Sequence, residues 1–481
     1  MIMKAATPLL LALASSIMLM ASCEHAPGVV PPERHTTVTI EGEQFHINGS
    51  PVYEGQTWET SYGGEYPVEG LLMNARLVQG IFDDLNPQTR GQWTYPDTRE
   101  WDPDRNTNEF VRAMATWREH GLLSFTLNLQ GGCPYGYCRN QPWDNTAFAP
   151  DGSLRESFMQ RLERILDRAD ELGMAVILGY YYFGQDENVD DESAVITAVE
   201  NATRWILEHG YENVIVEINN ECSVDAYVHD ILKCDRVHEL IETARNIEHN
   251  GRSLYVSTSL AGGGVPPANI VEISDFVLLH GNGVRNPERM EEMIHEVRSM
   301  DAYSPMPIVN NEDDQPWRVE DQGWEESHNN FVASVKNYAS WGYFDFRRPE
   351  EHDDYNLGYQ SIPVNWQISS DRKRNFFNLL AEITGSPGTP EVKAEWSSEM
   401  GSVIVSIEEV PPESSIQQVE LLINNEVAAA LEAPPYEFKI EAVPDEEHWV
   451  KARATYHNGE HEVVVESPYY RNPWWPYGGP S

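Results

Sequence analysis

The chain has 481 residues, which at roughly 100–200 residues per domain is two or three domains, or one large barrel with an appendage. Hydrophobic residues make up 41% and charged residues 23%, so a sizeable core is available and wholesale disorder is excluded. Lys and Arg number 33 against 77 Asp and Glu, a formal net charge of −44. That balance leaves no electrostatic footprint for a nucleic-acid backbone and disfavours a polyanionic substrate.

Residues 1–22 run from Lys4 through the apolar stretch Leu9–Met20 to Ala21-Ser22, the pattern of a secretory signal peptide. Leu19-Met20-Ala21-Ser22-Cys23 resembles the bacterial lipobox. That resemblance implies lipidation of Cys23 and a mature chain anchored in the bacterial cell envelope, at the outer membrane or exported to the periplasm or cell surface. Residues 23–36 read as a linker. The other four cysteines, Cys133, Cys138, Cys222 and Cys234, are an even number in an oxidising compartment. Two local disulfides, Cys133 to Cys138 and Cys222 to Cys234, are the simplest of the three connectivities that four cysteines allow. A zinc site lacks its CxxC pair and matching His pair, so no metal is expected.

From Thr37 to Tyr53 the sequence alternates around Asn48-Gly49 and predicts a β-hairpin on the floor of a barrel. Beyond it, short β-branched or aromatic runs alternate with amphipathic segments, the pattern of parallel strands joined by crossover helices. The predicted strands are Val52–Thr57, Leu122–Leu129, Ala175–Tyr182, Val214–Asn219, Ser253–Ser259, Phe276–His280, Pro307–Asn310 and Gly342–Phe346. Helices are predicted at Asn108–His120, Leu154–Leu172, Ser193–His209, Val237–His249, Pro287–Met300, Asn329–Trp341 and Asp371–Ile383. Gly121, Gly173, Gly210, Gly251 and Gly342 sit where left-handed caps would return the chain to the next strand. The fold class is therefore α/β, a (β/α)8 TIM barrel over residues 37–385. A doubly wound sheet competes, but no strand is followed by GxGxxG or GxxxxGK[ST].

Residues 386–391, with Pro387, Gly388 and Pro390, read as a second linker. Seven short strands between Val392 and Val465 then predict an all-β, immunoglobulin-like sandwich over residues 392–470, followed by an aromatic tail, 471–481, that carries Trp474-Trp475. Gln418–Ile440 resembles bacterial Ig-like modules appended to secreted polysaccharide enzymes, in architecture only, since the Cys–Trp–Cys core of antibody domains is absent.

Active sites of such barrels form at the carboxyl ends of the strands. Val214-Ile215-Val216-Glu217-Ile218-Asn219-Asn220-Glu221 ends the predicted fourth strand and Ile308-Val309-Asn310-Asn311-Glu312 the seventh. Two carboxyl groups flanking one anomeric carbon are what glycosidic cleavage needs. Val214–Glu221 resembles the strand-four signature of the clan A glycoside hydrolases, the cellulase and mannanase type, and Phe45–Val52 resembles their strand opening. The resemblance implies a retaining glycosidase with no cofactor and a carbohydrate substrate. Glu221 would be the acid/base, Glu312 the nucleophile, and Asn220 a partner of the sugar 2-OH and of the nucleophile. The sequence departs from the family where an Arg often ends strand two, since Asn128, Leu129 and Gln130 stand there, and where a Trp commonly closes strand eight.

His280 is expected either to position the nucleophile or to serve as a core imidazole. Glu217 is expected to be structural, and Asp313 and Asp314 are rivals of Glu312. Stacking platforms are sought among Trp58, Tyr181, Tyr182, Trp143, Trp317 and Trp366, and hydroxyl readers among Asn128, Gln130, Asn219 and Asn282. Arg76, Arg347 and Arg348 are either grips for a carboxylated sugar or internal ion pairs. The rival reading is a non-catalytic glycan-binding surface lipoprotein that keeps the barrel as a scaffold; a barrel lyase, which would commonly use a Lys, Tyr or metal base, is disfavoured because no such constellation is seen at the strand ends.

Overall fold

The computed structural model describes residues 34–471 except 62, 139, 315–326, 397–401, 412–413 and 440–446. The expected signal peptide, Cys23, Trp317 and Trp474-Trp475 lie outside the described residues. The chain enters through an antiparallel sheet of β1 (Val38–Glu41), β2 (Gln44–Ile47) and β3 (Ser50–Pro51). Asn48 and Gly49 take φ of 54° and 82° at the β2–β3 turn, the backbone a two-residue hairpin needs. A second hairpin pairs β4 (Thr57–Glu59) with β5 (Glu65–Pro67). The predicted strand Val52–Thr57 is mostly a turn. The first parallel strand is instead β6 (Asn74–Ala75), whose two residues are too few to show any period.

After β6 the strand–helix alternation holds. In chain order the elements are α1 (Pro103–Glu119), β7 (Ser124–Asn128), α2 (Glu156–Glu171), β8 (Ala175–Tyr182), α3 (Glu192–Glu208), β9 (Val214–Asn220), α4 (Val237–Arg245), β10 (Val256–Ser257), α5 (Ala268–Val271), β11 (Val277–His280), α6 (Pro287–Arg298), β12 (Ile308–Glu312), α7 (Asn330–Lys336), β13 (Gly342–Tyr343) and α8 (Asp371–Thr384). Local chemistry sets the boundaries. Asp102 accepts the backbone N–H groups of Asp104 and Arg105 to start α1, with Pro103 in the first turn. Helix α2 buries Phe158, Met159, Leu162, Ile165, Leu166 and Ala169 on one face, each large side chain contributing about 1.5–3 kcal/mol when fully buried. Strand β8 is buried at every position, as a parallel strand covered on both faces must be. Gly121 has the expected positive φ, 86°. Gly342 is not among the left-handed glycines; it is needed because a Cβ there would strike the Asn74 side chain across the β13–β6 pair.

Strands β7 to β10 form one parallel sheet in the order β10-β9-β8-β7, while β11 pairs with β12 and β13 with β6. Single bridges link β6 to β7 (Arg76 with Thr126) and β12 to β13 (Asp313 with Tyr343). Between β10 and β11 no ladder is found among the described residues, so the pairing does not close into a complete barrel. The predicted strand Ser253–Ser259 is cut to two residues there, because the Asp275 carboxylate takes the Val256 N–H (2.9 Å) that a neighbouring strand would otherwise bond.

The C-terminal part comprises β14 (Glu391–Trp396), β15 (Ser402–Glu408), β16 (Ser415–Ile423), β17 (Glu426–Leu431), β18 (Tyr436–Lys439), β19 (Trp449–His457), β20 (Glu462–Glu466) and β21 (Tyr470–Arg471). They build two antiparallel sheets, β14-β15-β18 and β17-β16-β19-β20, with β21 beside β19. Val392, Val405, Leu421, Phe438, Ala454 and Val463 are buried in the core cluster shared with the α/β part. The segment 386–391, expected as a linker, is held down: Gly388 N–H donates to Glu119 O at 2.9 Å and His120 Nε2 meets Thr389 Oγ1 at 3.0 Å.

Glu466 at the end of β20 is the buried ionic contact of this junction. Its carboxylate meets Lys451 Nζ (2.6 Å), Arg453 Nε (2.8 Å) and Arg112 Nη1 of α1 (3.3 Å). Burial alone would raise the Glu466 pKa, but Lys451, then Arg453 and Arg112, pull it well below the usual carboxylate range. A depressed folded pKa contributes stability above the unfolded carboxylate pKa, and that stability is lost as pH falls. Glu466→Ala, which strands buried cations, is expected to cost about 3–5 kcal/mol at pH 7. The loss should shrink towards pH 3, as read by thermal melting across pH.

Candidate active site

The carboxyl ends of the parallel strands bring chemistry-bearing residues to one mouth. Arg76 follows β6, Tyr182 ends β8, Asn220 ends β9 and Glu221 follows it, His280 ends β11 and Glu312 ends β12. Glu221 turns sharply off its strand. Its φ is +57°, a left-handed conformation that costs a non-glycine residue about 1–3 kcal/mol and that a surrounding structure must hold in place. Ser259 Oγ accepts the Glu221 N–H at 2.9 Å, and the Gly262 N–H donates to the Glu221 carboxylate. The disulfide Cys222–Cys234 begins at the next residue, with Cα atoms 5.0 Å apart. Cys133 and Cys138 form the other disulfide.

Glu312 is 3% exposed and is gripped from two sides. Arg76 Nε lies 2.7 Å from its Oε2, and Asn282 Nδ2 donates to its Oε1. Arg76, fully buried, also donates from Nη2 to Asn220 Oδ1 at 2.8 Å. The expected contact between Asn220 and the nucleophile candidate is therefore replaced: Arg76 and Asn282 hold Glu312, and Asn220 holds Arg76. Asn220 Nδ2 is buried without a hydrogen-bond partner in the protein.

His280 stands between the two glutamates. Its Nδ1 is 3.0 Å from Glu221 Oε1 and 3.6 Å from Glu312 Oε2. The three side chains bring one ligating atom each within 4.8 Å of one another. Burial lowers the His280 pKa, with Glu312 and Glu217 opposing. Glu221 is pushed up to about 7 by burial, against Arg76 and the Gly262 N–H. Its cause is thus desolvation rather than the charge of Glu312. Burial also raises Glu312, while Arg76 and then His280 pull it back. Glu217 is fully buried behind the pair, bonded by Ser259 Oγ and by Asn311 Nδ2 (3.2 Å), with its Oε1 3.8 Å from His280 Nε2. In number, Glu221, His280 and Glu312 would suffice for a divalent cation. The guanidinium 2.7 Å from Glu312 already supplies the positive charge there.

The other candidates divide by burial and partners. Tyr182 is 3% exposed and its hydroxyl is raised by burial, then by Glu312, so it belongs to the mouth. Asn128 is buried at the end of β7 with both amide atoms unpartnered. Trp58 is a packing residue: it is 3% exposed and its indole N–H donates to Glu382 on α8 (3.1 Å). Trp366 is equally enclosed, bonded to Asn106 of α1 (3.1 Å) and packed on Phe110, Trp117 and Tyr359. Trp143 packs edge-on against Trp93, and Tyr181 stacks on Phe148. Gln130 and Asn219 spend their amides on Thr146 and Leu232. Arg347, 2% exposed, gives Nη1 and Nη2 of its guanidinium to the carbonyls of Ser361, Ile362, Pro363 and His352, so it is an internal structural cation. The sequence signal for the role of Arg76 was a lone cation inside the apolar run Leu71–Leu77, since a buried Arg needs a partner.

No family model matches the chain, and no curated protein matches it. Among solved structures it is similar to a putative glycoside hydrolase from Bacteroides vulgatus at 12% identity and a TM-score of 0.44, covering 92% of this chain and 81% of that one. It is similar to a glycoside hydrolase family 5 protein from Bacteroides vulgatus at 10% identity and a TM-score of 0.41, covering 86% and 93%. A Bacteroides uniformis β-glucuronidase, covalently bound to cyclophellitol-6-carboxylate aziridine, matches at 12% identity and a TM-score of 0.41 over 91% of this chain. The chain spans about half the length of that β-glucuronidase, 48%. At these levels function rests on the site itself.

The Arg76–Glu312 pair is testable without any substrate. Arg76→Met leaves a buried carboxylate unpaired, so the folded pKa of Glu312 rises further. Stability should then be lost as pH climbs above the unfolded carboxylate value, by about 3–5 kcal/mol at pH 7 and far less at pH 4. Adding Glu312→Gln should restore most of it, with melting temperature at the two pH values as the readout.

Proposed function

We propose that this protein is a retaining glycoside hydrolase acting on a polysaccharide or oligosaccharide. In this reading the eight parallel strands are a (β/α)8 barrel with one open seam, and the C-terminal sheets are an Ig-like sandwich. The observation that carries it is the Glu221–His280–Glu312 cluster. Two carboxyl groups share one mouth, with ligating atoms within 4.8 Å. Retaining enzymes keep their carboxyls about 5–5.5 Å apart, whereas inverting ones leave about 6.5–9.5 Å for a water. The short separation favours retention.

Glu312, its charge supported by Arg76 and Asn282, attacks the anomeric carbon while the protonated Glu221 gives its proton to the departing glycosidic oxygen. The C–O bond to the leaving group breaks as the Glu312 ester forms. Glu221, now a carboxylate, takes a proton from water as that water attacks the anomeric carbon, and Glu312 is released. Asn220 Nδ2 offers a donor to a sugar hydroxyl. We place the mature chain at the cell envelope through Cys23, on the strength of Leu19–Cys23. No helix among the described residues is long and apolar enough to cross a membrane.

Reducing-sugar release across a panel of glycans tests the reading. Glu221→Gln and Glu312→Ala are each expected to lower kcat by at least about a thousandfold, and hydrolysis that survives both substitutions would refute the assignment. In the wild type, kcat/KM should fall as pH rises through about 7, where Glu221 loses its proton, and fall again in acid as Glu312 gains one. Incorporation of radiolabelled palmitate in a bacterial host should be abolished by Cys23→Ser.

A further inference from the structure

Cys133 and Cys138 close a short loop beside the mouth, and the loop is fastened on several sides. Gln360 Nε2 donates to Cys133 O (3.2 Å) and Gly136 O (2.9 Å), and Ile362 N–H donates to Pro134 O (2.9 Å). Gly136 has φ +104°, and a Cβ there would strike the Phe346 ring. Gly132, one residue before the loop, packs closely on Tyr182 and Gln360. The loop carries Tyr137, which is 52% exposed in a protein that buries most of its large rings. Tyr137 meets Phe344 (5.9 Å, 86°) and Phe346 (5.0 Å, 78°), both near-perpendicular, so neither ring lies flat against it.

Its place is fixed relative to the carboxylates. Phe344 N–H donates to Asp313 O (3.0 Å), the residue after Glu312. Burial raises the Tyr137 hydroxyl pKa, and the nearby Asp314, Glu312 and Glu221 raise it further. Trp58, Trp143 and Trp366 are enclosed, which leaves Tyr137 as an exposed ring at the mouth among the described residues.

We propose that Tyr137 is the stacking platform for a neutral pyranose unit bound next to the scissile bond, and that the Cys133–Cys138 disulfide is the device that holds it there. The physical basis is the apolar face of a sugar ring meeting a flat aromatic surface. The inference rests on the glycosidase reading of the site.

The experiment uses the full chain and a panel of cello-, manno-, xylo- and laminari-pentaose. On the pentaose cleaved fastest, Tyr137→Ala should raise KM about tenfold with kcat within threefold, while Tyr137→Phe and Tyr137→Trp stay within threefold of wild type in both. The double variant Cys133→Ser/Cys138→Ser should raise KM similarly, and combining it with Tyr137→Ala should add nothing. Binding is measured separately by calorimetry in the Glu221→Gln background, where Tyr137→Ala should weaken it about tenfold. Cleavage with an unchanged KM for Tyr137→Ala overturns the platform alone, as does a loss in Tyr137→Phe equal to that in Tyr137→Ala. A wild-type KM for a folded Cys133→Ser/Cys138→Ser protein overturns the disulfide's part. Binding weakened by Tyr137→Ala without cleavage of any pentaose sinks the hydrolase reading and leaves the platform standing; absence of both binding and cleavage sinks both.

Discussion

The site hangs on one buried ion pair. Arg76, wholly removed from solvent, spends its guanidinium on Glu312 Oε2 and Asn220 Oδ1 and so ties the ends of β6, β9 and β12 to a single centre. Taking two charges out of water is costly, and only close geometry with additional hydrogen bonds offsets that cost. Asn282 supplies one such bond to Glu312. The result is two buried carboxyl groups side by side: burial raises both, and Arg76 and then His280 pull Glu312 back while Arg76 and the Gly262 N–H oppose the rise of Glu221. In the proposed mechanism the acid and nucleophile roles would be separated by environment rather than by residue type.

The left-handed backbone of Glu221 fits the same logic. A strand that continued regularly would alternate its side chains from face to face, whereas here Asn220 reaches Arg76 and Glu221 turns to His280. The strain is opposed by bonds on both flanks: Ser259 holds the Glu221 N–H, and the Cys222–Cys234 disulfide anchors the chain just beyond. Glu217, four residues earlier on the strand, lies 3.8 Å from His280 Nε2 and is itself bonded by Ser259 and Asn311. Ser259 therefore serves both glutamates of β9.

Much of the α/β part was legible because its segments are long and periodic. Ala175–Tyr182 matches β8 residue for residue, and α2 and α3 lie within two residues of expectation, since a one-sided apolar stripe is what both pattern and packing respond to. Strand-end reasoning also led to Glu221 and Glu312, whose convergence is a property of the fold. Two-residue strands such as β6 and β10 carry no period, so the first parallel strand was misplaced. The apolar run around Arg76 marked it as a cation needing a partner, but not which one, because an ion pair between residues more than two hundred positions apart leaves no local mark of its second member. Trp58 and Trp366 show the opposite failure: strand-end or loop position suggested a platform, and helix packing by α8 and α1 enclosed them.

The missing ladder between β10 and β11 has a dynamic meaning. A hydrogen-bonded ring yields first where its bonds are fewest, and local opening there requires far less free energy than global unfolding. That seam runs between Ser259, which fixes the Glu221 backbone, and His280, which touches its carboxyl. Amide protons along it should exchange with solvent sooner than those of β8, and each such breath would briefly loosen the grip on Glu221.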